Sequence, residues 1–158
     1  SLAGAVRHLV GDATGEQAAG DPALKDLLRL CDPGYERQRI EQFLIESLVL
    51  VPEGARLNAA ADPGVGEVLE RSQELADRGL RNQVPQTRLM VSLARQAGAI
   101  GASSFGAGWG GSVYALVPTD DAEDFASQWL QAYRDREQET ELSSTIVTRP
   151  GTGACRML

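Results

Sequence analysis

An α+β domain, with an antiparallel sheet and its helices gathered on one face, is the fold class this sequence predicts. Three observations carry the expectation. Helical periodicity recurs three times between Tyr35 and Gly98, then a strand, a glycine-rich loop and a second strand follow from Ala99 to Val117, and nowhere do strands and helices alternate as a parallel sheet requires. At 158 residues the chain has room for one hydrophobic core, so a single domain spanning 1–158 is expected.

The opening is weakly patterned. Leu2, Val6, Leu9 and Val10 suit a short helix that Gly11, Gly15 and Gly20 break, and the start without methionine suggests that something precedes it. Asp21-Pro22 has the form of an N-cap followed by a first-turn proline, with Leu24, Leu27, Leu28 and Leu30 as an apolar side, before Asp32-Pro33-Gly34 supplies turn chemistry. From Tyr35 the pattern is clearly amphipathic: Ile40, Phe43, Leu44, Ser47, Leu48 and Val51 recur at three- and four-residue steps. Pro52 should end or kink that helix, with Ala55 to Ala61 as an extension. A second helix follows Asp62-Pro63-Gly64, with Val65, Val68, Leu69, Ser72, Leu75 and Ala76 on one face and Gly79 as its C-cap. A third carries Leu89, Met90, Leu93, Ala94 and Ala97 and stops at Gly98.

Ala99 to Phe105 and Ser112 to Val117 read as strands. Thr119 or Asp120 caps a fourth helix whose face is Ala122, Phe125, Ala126, Trp129, Leu130 and Tyr133; Trp129 and Tyr133 at that spacing mean core. The acids Asp120, Asp121, Glu123 and Asp124 suit the positive end of its dipole better than a metal. Glu137, Glu139 and Glu141 read as a solvated linker, Ser144 to Thr148 as a last strand, Arg149 to Gly153 as a turn and Ala154 to Leu158 as an edge segment. No convincing strand precedes residue 99.

Composition excludes several function classes. With 15 Lys plus Arg against 22 Asp plus Glu, the net charge is −7, and no basic stripe carries interleaved aromatics, so neither nucleic acid nor an anionic membrane is an expected partner. No apolar run reaches the roughly 20 residues of a spanning helix. Cys31 and Cys155 match no metal or redox spacing and fit reduced thiols in the cytoplasm. His8 is the sole histidine, which leaves Ser72, Ser103 and Ser104 without a base for nucleophilic work and argues against a His-based metal site. Of Ser103 and Ser104, alternate positions on one strand, only one should face the buried side.

The densest signal is the loop, with glycines at 101, 106, 108, 110 and 111. A two-residue hairpin needs one or two glycines, so turn geometry alone does not account for four in six positions. Gly106-x-Gly108-x-x-Gly111 has the letters of the dinucleotide fingerprint, but that motif must open a helix and here a strand follows. Extended to Val113 it has the letters of the protein-kinase glycine loop. That enzyme class also needs a lysine on the next strand and H-R-D and D-F-G motifs, whereas Lys25 and His8 are the only lysine and histidine and both lie upstream.

Gly101-Ala-Ser-Ser-Phe-Gly-Ala-Gly-Trp-Gly-Gly-Ser-Val-Tyr-Ala-Leu-Val117 resembles the third motif of the GHMP small-molecule kinases, in its galactokinase form. Arg71-Ser-Gln73, Gly79 to Thr87, the helix to Gly98 and Val147 to Gly153 resemble the flanks of that motif, so the likeness covers about two thirds of the chain from Tyr35 onward. It implies a GHMP C-terminal domain with a ferredoxin-like antiparallel sheet. It also implies that Gly106, Ala107, Gly108, Trp109, Gly110, Gly111 and Ser112 form the substrate- and phosphate-facing loop, because glycine backbone N–H groups make a nest for anionic oxygens. Two positions depart from the family pattern: Trp109 stands where phenylalanine is frequent, and Ser103-Ser104-Phe105 where a methionine and a threonine often precede the glycines.

The family's sugar-binding first motif, its phosphate-loop second motif and its catalytic aspartate are absent from this chain. The resemblance therefore implies half of an enzyme: the C-terminal domain of an ATP-dependent sugar kinase, with no catalytic residue and no metal ligand of its own. ATP and Mg2+ would be held mainly by an N-terminal domain of the same protein, with a hexose as substrate and no cofactor on this fragment alone. Cut from that domain, its exposed face should pair two copies in a homodimer. The alternative is a kinase-derived sugar-sensing or protein-interaction module without catalysis.

Overall fold

The computed structural model describes residues 35–137 and 143–149, together with Pro22. The expected N-terminal helix with His8, the leucine-rich segment with Cys31, the acids Glu139 and Glu141, and the closing turn and edge with Cys155 lie outside the described residues. What is described is an α+β arrangement, in the order α1 (Tyr35–Ile45), a π-helical turn (Glu46–Leu50), α2 (Val51–Ala59), α3 (Val65–Leu75), a second π-helical turn (Ala76–Leu80), α4 (Pro85–Gln96), β1 (Gly101–Phe105), β2 (Ser112–Leu116), a 3-10 turn (Thr119–Asp121) and α5 (Ala122–Arg134).

Pro52 neither ends nor breaks its helix. The widened turn just ahead of it bonds the Val51 N–H to the Glu46 carbonyl, five residues back, and so admits a proline ring that a regular α-turn would crowd. The inserted residue rotates α2 relative to α1 by about 100°. Leu50 is therefore buried, and Val51, expected on the apolar face, is 59% exposed. Gly79 likewise differs from its expected role as a C-cap: it is buried within the second π-turn against Gln42, and the residue that turns left-handed is Arg81, at φ 52°.

α4 starts with Pro85 in its first turn, a residue that the sequence places in the preceding connection, and the Thr87 hydroxyl accepts the Val84 N–H at 3.2 Å. It ends at Gly98, φ 91°, where Ala99 N–H reaches the Ala94 carbonyl and Gly98 N–H the Arg95 carbonyl. Those two bonds are the Schellman closure that a glycine permits. Surface ion pairs Asp77–Arg88 and Glu70–Arg95 tie α4 to α3 and its π-turn.

β1 and β2 pair antiparallel from Gly101↔Leu116 to Phe105↔Ser112, and the Ile100 N–H extends the ladder to the Leu116 carbonyl at 2.8 Å. α3 runs against β1 so closely that a Cβ on Gly66 would lie 1.9 Å from the Ile100 carbonyl oxygen, which only glycine allows. The core is Val91, Leu93 and Ala94 of α4, Ala102 of β1 and Trp129 of α5, with Val113, Ala115 and Phe125 packed on it. Trp129 also donates from Nε1 to the Met90 carbonyl at 2.9 Å, satisfying its polar edge inside the core.

Two expectations change. α5 is preceded by a 3-10 turn and has Asp121, not Thr119 or Asp120, at its N-cap, with no capping bond from a side chain. Ser144 to Thr148 carries strand-forming residues but pairs with no described strand: Ile146 is 87% exposed, and the segment is tethered by Arg134 donating to the Ser143 carbonyl. Without a ladder, β-propensity alone does not make a strand.

Candidate active-site loop

Four glycines between strands predict unusual backbone, and the loop adopts it. Gly106 has φ 92°, and Gly108, Trp109, Gly110 and Gly111 follow one another at 84°, 64°, 113° and 96°. Four consecutive residues in the left-handed half of the map explain the composition that hairpin turns alone did not. Trp109 is the exception to the chemistry: it holds a conformation that a Cβ disfavours, and its indole is 72% exposed.

Beneath the loop sits Asn82. Its carbonyl accepts the Trp109 N–H at 2.6 Å, and its side-chain Nδ2 donates to the Ala107 carbonyl at 3.2 Å. A Cβ on Gly108 would meet the Asn82 side chain at 2.4 Å, so that position is glycine for steric reasons as well as for its φ. By contrast, a Cβ on Gly106 or Gly111 would meet nothing within 4 Å, which leaves open space over the loop at those two positions. Among the described residues Trp109 is the loop amide that is clipped, and the N–H groups of Gly108, Gly110 and Gly111 find no partner among those residues. The loop thus offers backbone donors to an oxygen-rich anion, as a nest does, but not as an unbroken run of them.

The structure brings Gly106 to Ser112 together as one loop, and it adds residues that sequence reasoning passed over. Gln73 and Gln83 are buried and hydrogen-bonded to each other at 3.0 Å. Gln73 Oε1 accepts from Ser103 Oγ, Ser104 Oγ and the Ser104 N–H, so both serines reach the same amide although they alternate along the strand. The signal was present in the sequence as the amide residues Gln73 and Gln83 within the flanking stretches Arg71 to Gln73 and Gly79 to Thr87.

A cleft of about 250 Å3 opens beside this cluster, lined by Glu46, Ser72, Asn82, Gln83, Ser103, Ser104 and Gly106 among others. Ser72 Oγ donates to Glu46 Oε1 at 2.8 Å, while Glu46 Oε2 is buried with no partner among the described residues. Tyr114, paired with Ser103 across the ladder, has its hydroxyl pKa raised first by burial and then by the Glu46 charge, against a smaller lowering from its hydrogen bond with Ser103. A larger cleft of about 710 Å3 runs along β2 between α5 and residues 143–148 and meets the loop at Gly111 and Ser112. Among the described residues no three His, Cys, Asp or Glu side chains come together as metal ligands would, and no helix is long and apolar enough to cross a membrane.

Fold and loop together define a class: an α+β domain that presents a glycine-built, left-handed loop between two antiparallel strands. The family model for the C-terminal domain of GHMP kinases matches residues 54–135, from α2 through α5, and the chain belongs to that family. Among curated proteins, the galactokinase of Mycobacterium tuberculosis is 29% identical over 140 residues, covering 89% of this chain and 38% of that protein. The galactokinase of Candida parapsilosis is 30% identical over 95 residues, covering 57% of this chain and 19% of its own length. Among solved structures, the crystal structure of Lactococcus lactis galactokinase complexed with galactose superposes with a TM-score of 0.63 at 22% identity, over 80% of this chain and 31% of that one. The match thus spans between 19% and 38% of the length of these galactokinases.

Proposed function

We propose that this chain, as one domain over 1–158, is the C-terminal part of an ATP-dependent sugar kinase that transfers the γ-phosphoryl group of ATP to the anomeric hydroxyl of a hexose. Galactose is the first candidate, because the similar proteins are galactokinases and one is described in complex with that sugar. The observation that carries the reading is the left-handed run Gly108 to Gly111, clipped at Trp109, with three amides that no described residue accepts and open space at Gly111. Gly106, Ala107, Gly108, Trp109, Gly110, Gly111 and Ser112 form this substrate- and phosphate-facing loop. Phosphoryl transfer asks little covalent chemistry of a protein and much positioning and charge stabilisation, which preorganised backbone N–H groups supply without reorganising.

The described residues fit one part of that task. The loop suits phosphate oxygens, whereas a magnesium ion, which favours carboxylates and phosphate oxygens, finds no carboxylate cluster among the described residues. ATP, Mg2+ and the base for the sugar hydroxyl therefore fall to an N-terminal domain of the same protein, against which this loop would close in the cytoplasm. The test is ADP release by the full-length protein, mixed with ATP, Mg2+ and each of a panel of hexoses. Turnover with at least one hexose, galactose first, is expected; a folded protein that releases no ADP above background with any of them would overturn the proposal.

A further inference from the structure

We infer that Gln73, Gln83 and Asn82 form an amide relay that sets the shape of the glycine loop, and that they are positioning residues for the chemistry proposed above, on which the kinetic part of this inference rests. The bonds run head to tail. Gln73 Nε2 donates to Gln83 Oε1 at 3.0 Å, Gln83 Nε2 donates to Asn82 Oδ1 at 2.9 Å, and Asn82 Nδ2 donates to the Ala107 carbonyl at 3.2 Å. At the far end Gln73 Oε1 takes the Ser104 N–H at 2.8 Å, where β1 leads into the loop. One chain of amides therefore fixes the loop at its entry and again at its middle, where the Asn82 backbone also clips Trp109.

Polarity makes the relay specific. Each amide has one acceptor and one donor group, and every link spends a donor of one on the acceptor of the next, so that the order of the bonds permits one arrangement. Thr87 Oγ1 donates to Gln83 Oε1 at 3.1 Å and ties the middle of the relay to the first turn of α4. Gln73 and Gln83 are 8% and 7% exposed, so a broken link leaves buried polar groups unpaired, a penalty that water does not repay. Ordinary packing would be served by apolar side chains at these positions. Three buried or half-buried amides in series are what holding a glycine backbone in a left-handed run requires, because the glycines have no side chains of their own to hold it.

The experiment uses the full-length protein and two variants, Gln83→Leu, which removes the middle link, and Asn82→Asp, which keeps the Oδ acceptor and the backbone clip but loses the donor to Ala107. Residue-resolved amide exchange is the first readout. Losing a link worth about 1 to 1.5 kcal/mol should raise exchange of the clipped Trp109 N–H about tenfold, while Ala94 and Ala102 in the core stay within about twofold. An unchanged Trp109 amide, or a rise shared by the core, would overturn the relay. Steady-state kinetics is the second readout: kcat should fall about tenfold with the sugar KM within about twofold, since the loop acts on the transferring group, and an unchanged kcat would overturn the positioning role. A wild-type protein inactive on every sugar would defeat the kinase reading alone, and the exchange experiment would still decide the relay.

Discussion

At the scale of single residues, the loop is a contest between glycine and one tryptophan. A non-glycine residue in the left-handed region costs about 1 to 2 kcal/mol, and Trp109 bears that cost with an indole that is mostly in water. Replacing it with glycine removes the strain, loses little burial and adds back some unfolded-state freedom. Trp109→Gly is therefore expected to be neutral or to stabilise the fold by up to about 1 kcal/mol in denaturant unfolding; a loss of more than about 1 kcal/mol would mean that the indole packs on something in the full-length protein. The glycine density was legible in the sequence, and so was its demand for positive φ. That Gly108 is also pressed against Asn82 was not, because the contact joins residues 26 apart and only the folded chain brings them together.

Among elements, the sheet carries a pH-dependent prediction. Burial and the Glu46 charge both keep the Tyr114 hydroxyl neutral in the fold, so its pKa lies above the ordinary tyrosine value of about 10. Proton counts set the sign. Below that value both folded and unfolded states hold the proton and the full contribution is present; above it the unfolded chain releases the proton first, and stability falls as pH rises. Between about pH 9 and 11 the wild type should lose stability more steeply than Tyr114→Phe in denaturant melts, and parallel curves would contradict the assignment. Element reading succeeded where the period was regular: α4 with its Gly98 stop, both strands, and the buried face of α5. It failed at the two π-turns, since a 3.6-residue period has no term for an inserted residue, and the insertion moved Val51 outward. It failed also at Ser144 to Thr148, whose residues suit a strand but whose structure supplies no ladder.

For the whole molecule, the described residues account for a glycine loop and its support, and the proposed function assigns the remaining chemistry to an N-terminal domain. The match to the Mycobacterium tuberculosis galactokinase covers 38% of that protein, the share that the proposed reading takes as one domain of a larger enzyme. The family could be read from the glycine motif and its flanks because backbone demands of that kind constrain residue type strongly. The amide relay escaped, since an amide side chain carries no such constraint until its partners are known.

If the space above the glycine run receives the reacting groups, filling it should cost activity and little else. Gly111→Ala tests this most directly, because the added methyl meets no protein atom within 4 Å and its intramolecular cost is confined to a backbone at φ 96°. In the full-length protein, with ATP and the best hexose substrate, kcat/KM for Gly111→Ala is expected to fall by about a hundredfold or more, as when one preorganised donor is lost, while the far-UV circular dichroism is unchanged. Wild-type turnover in a correctly folded Gly111→Ala protein would contradict that role for the loop.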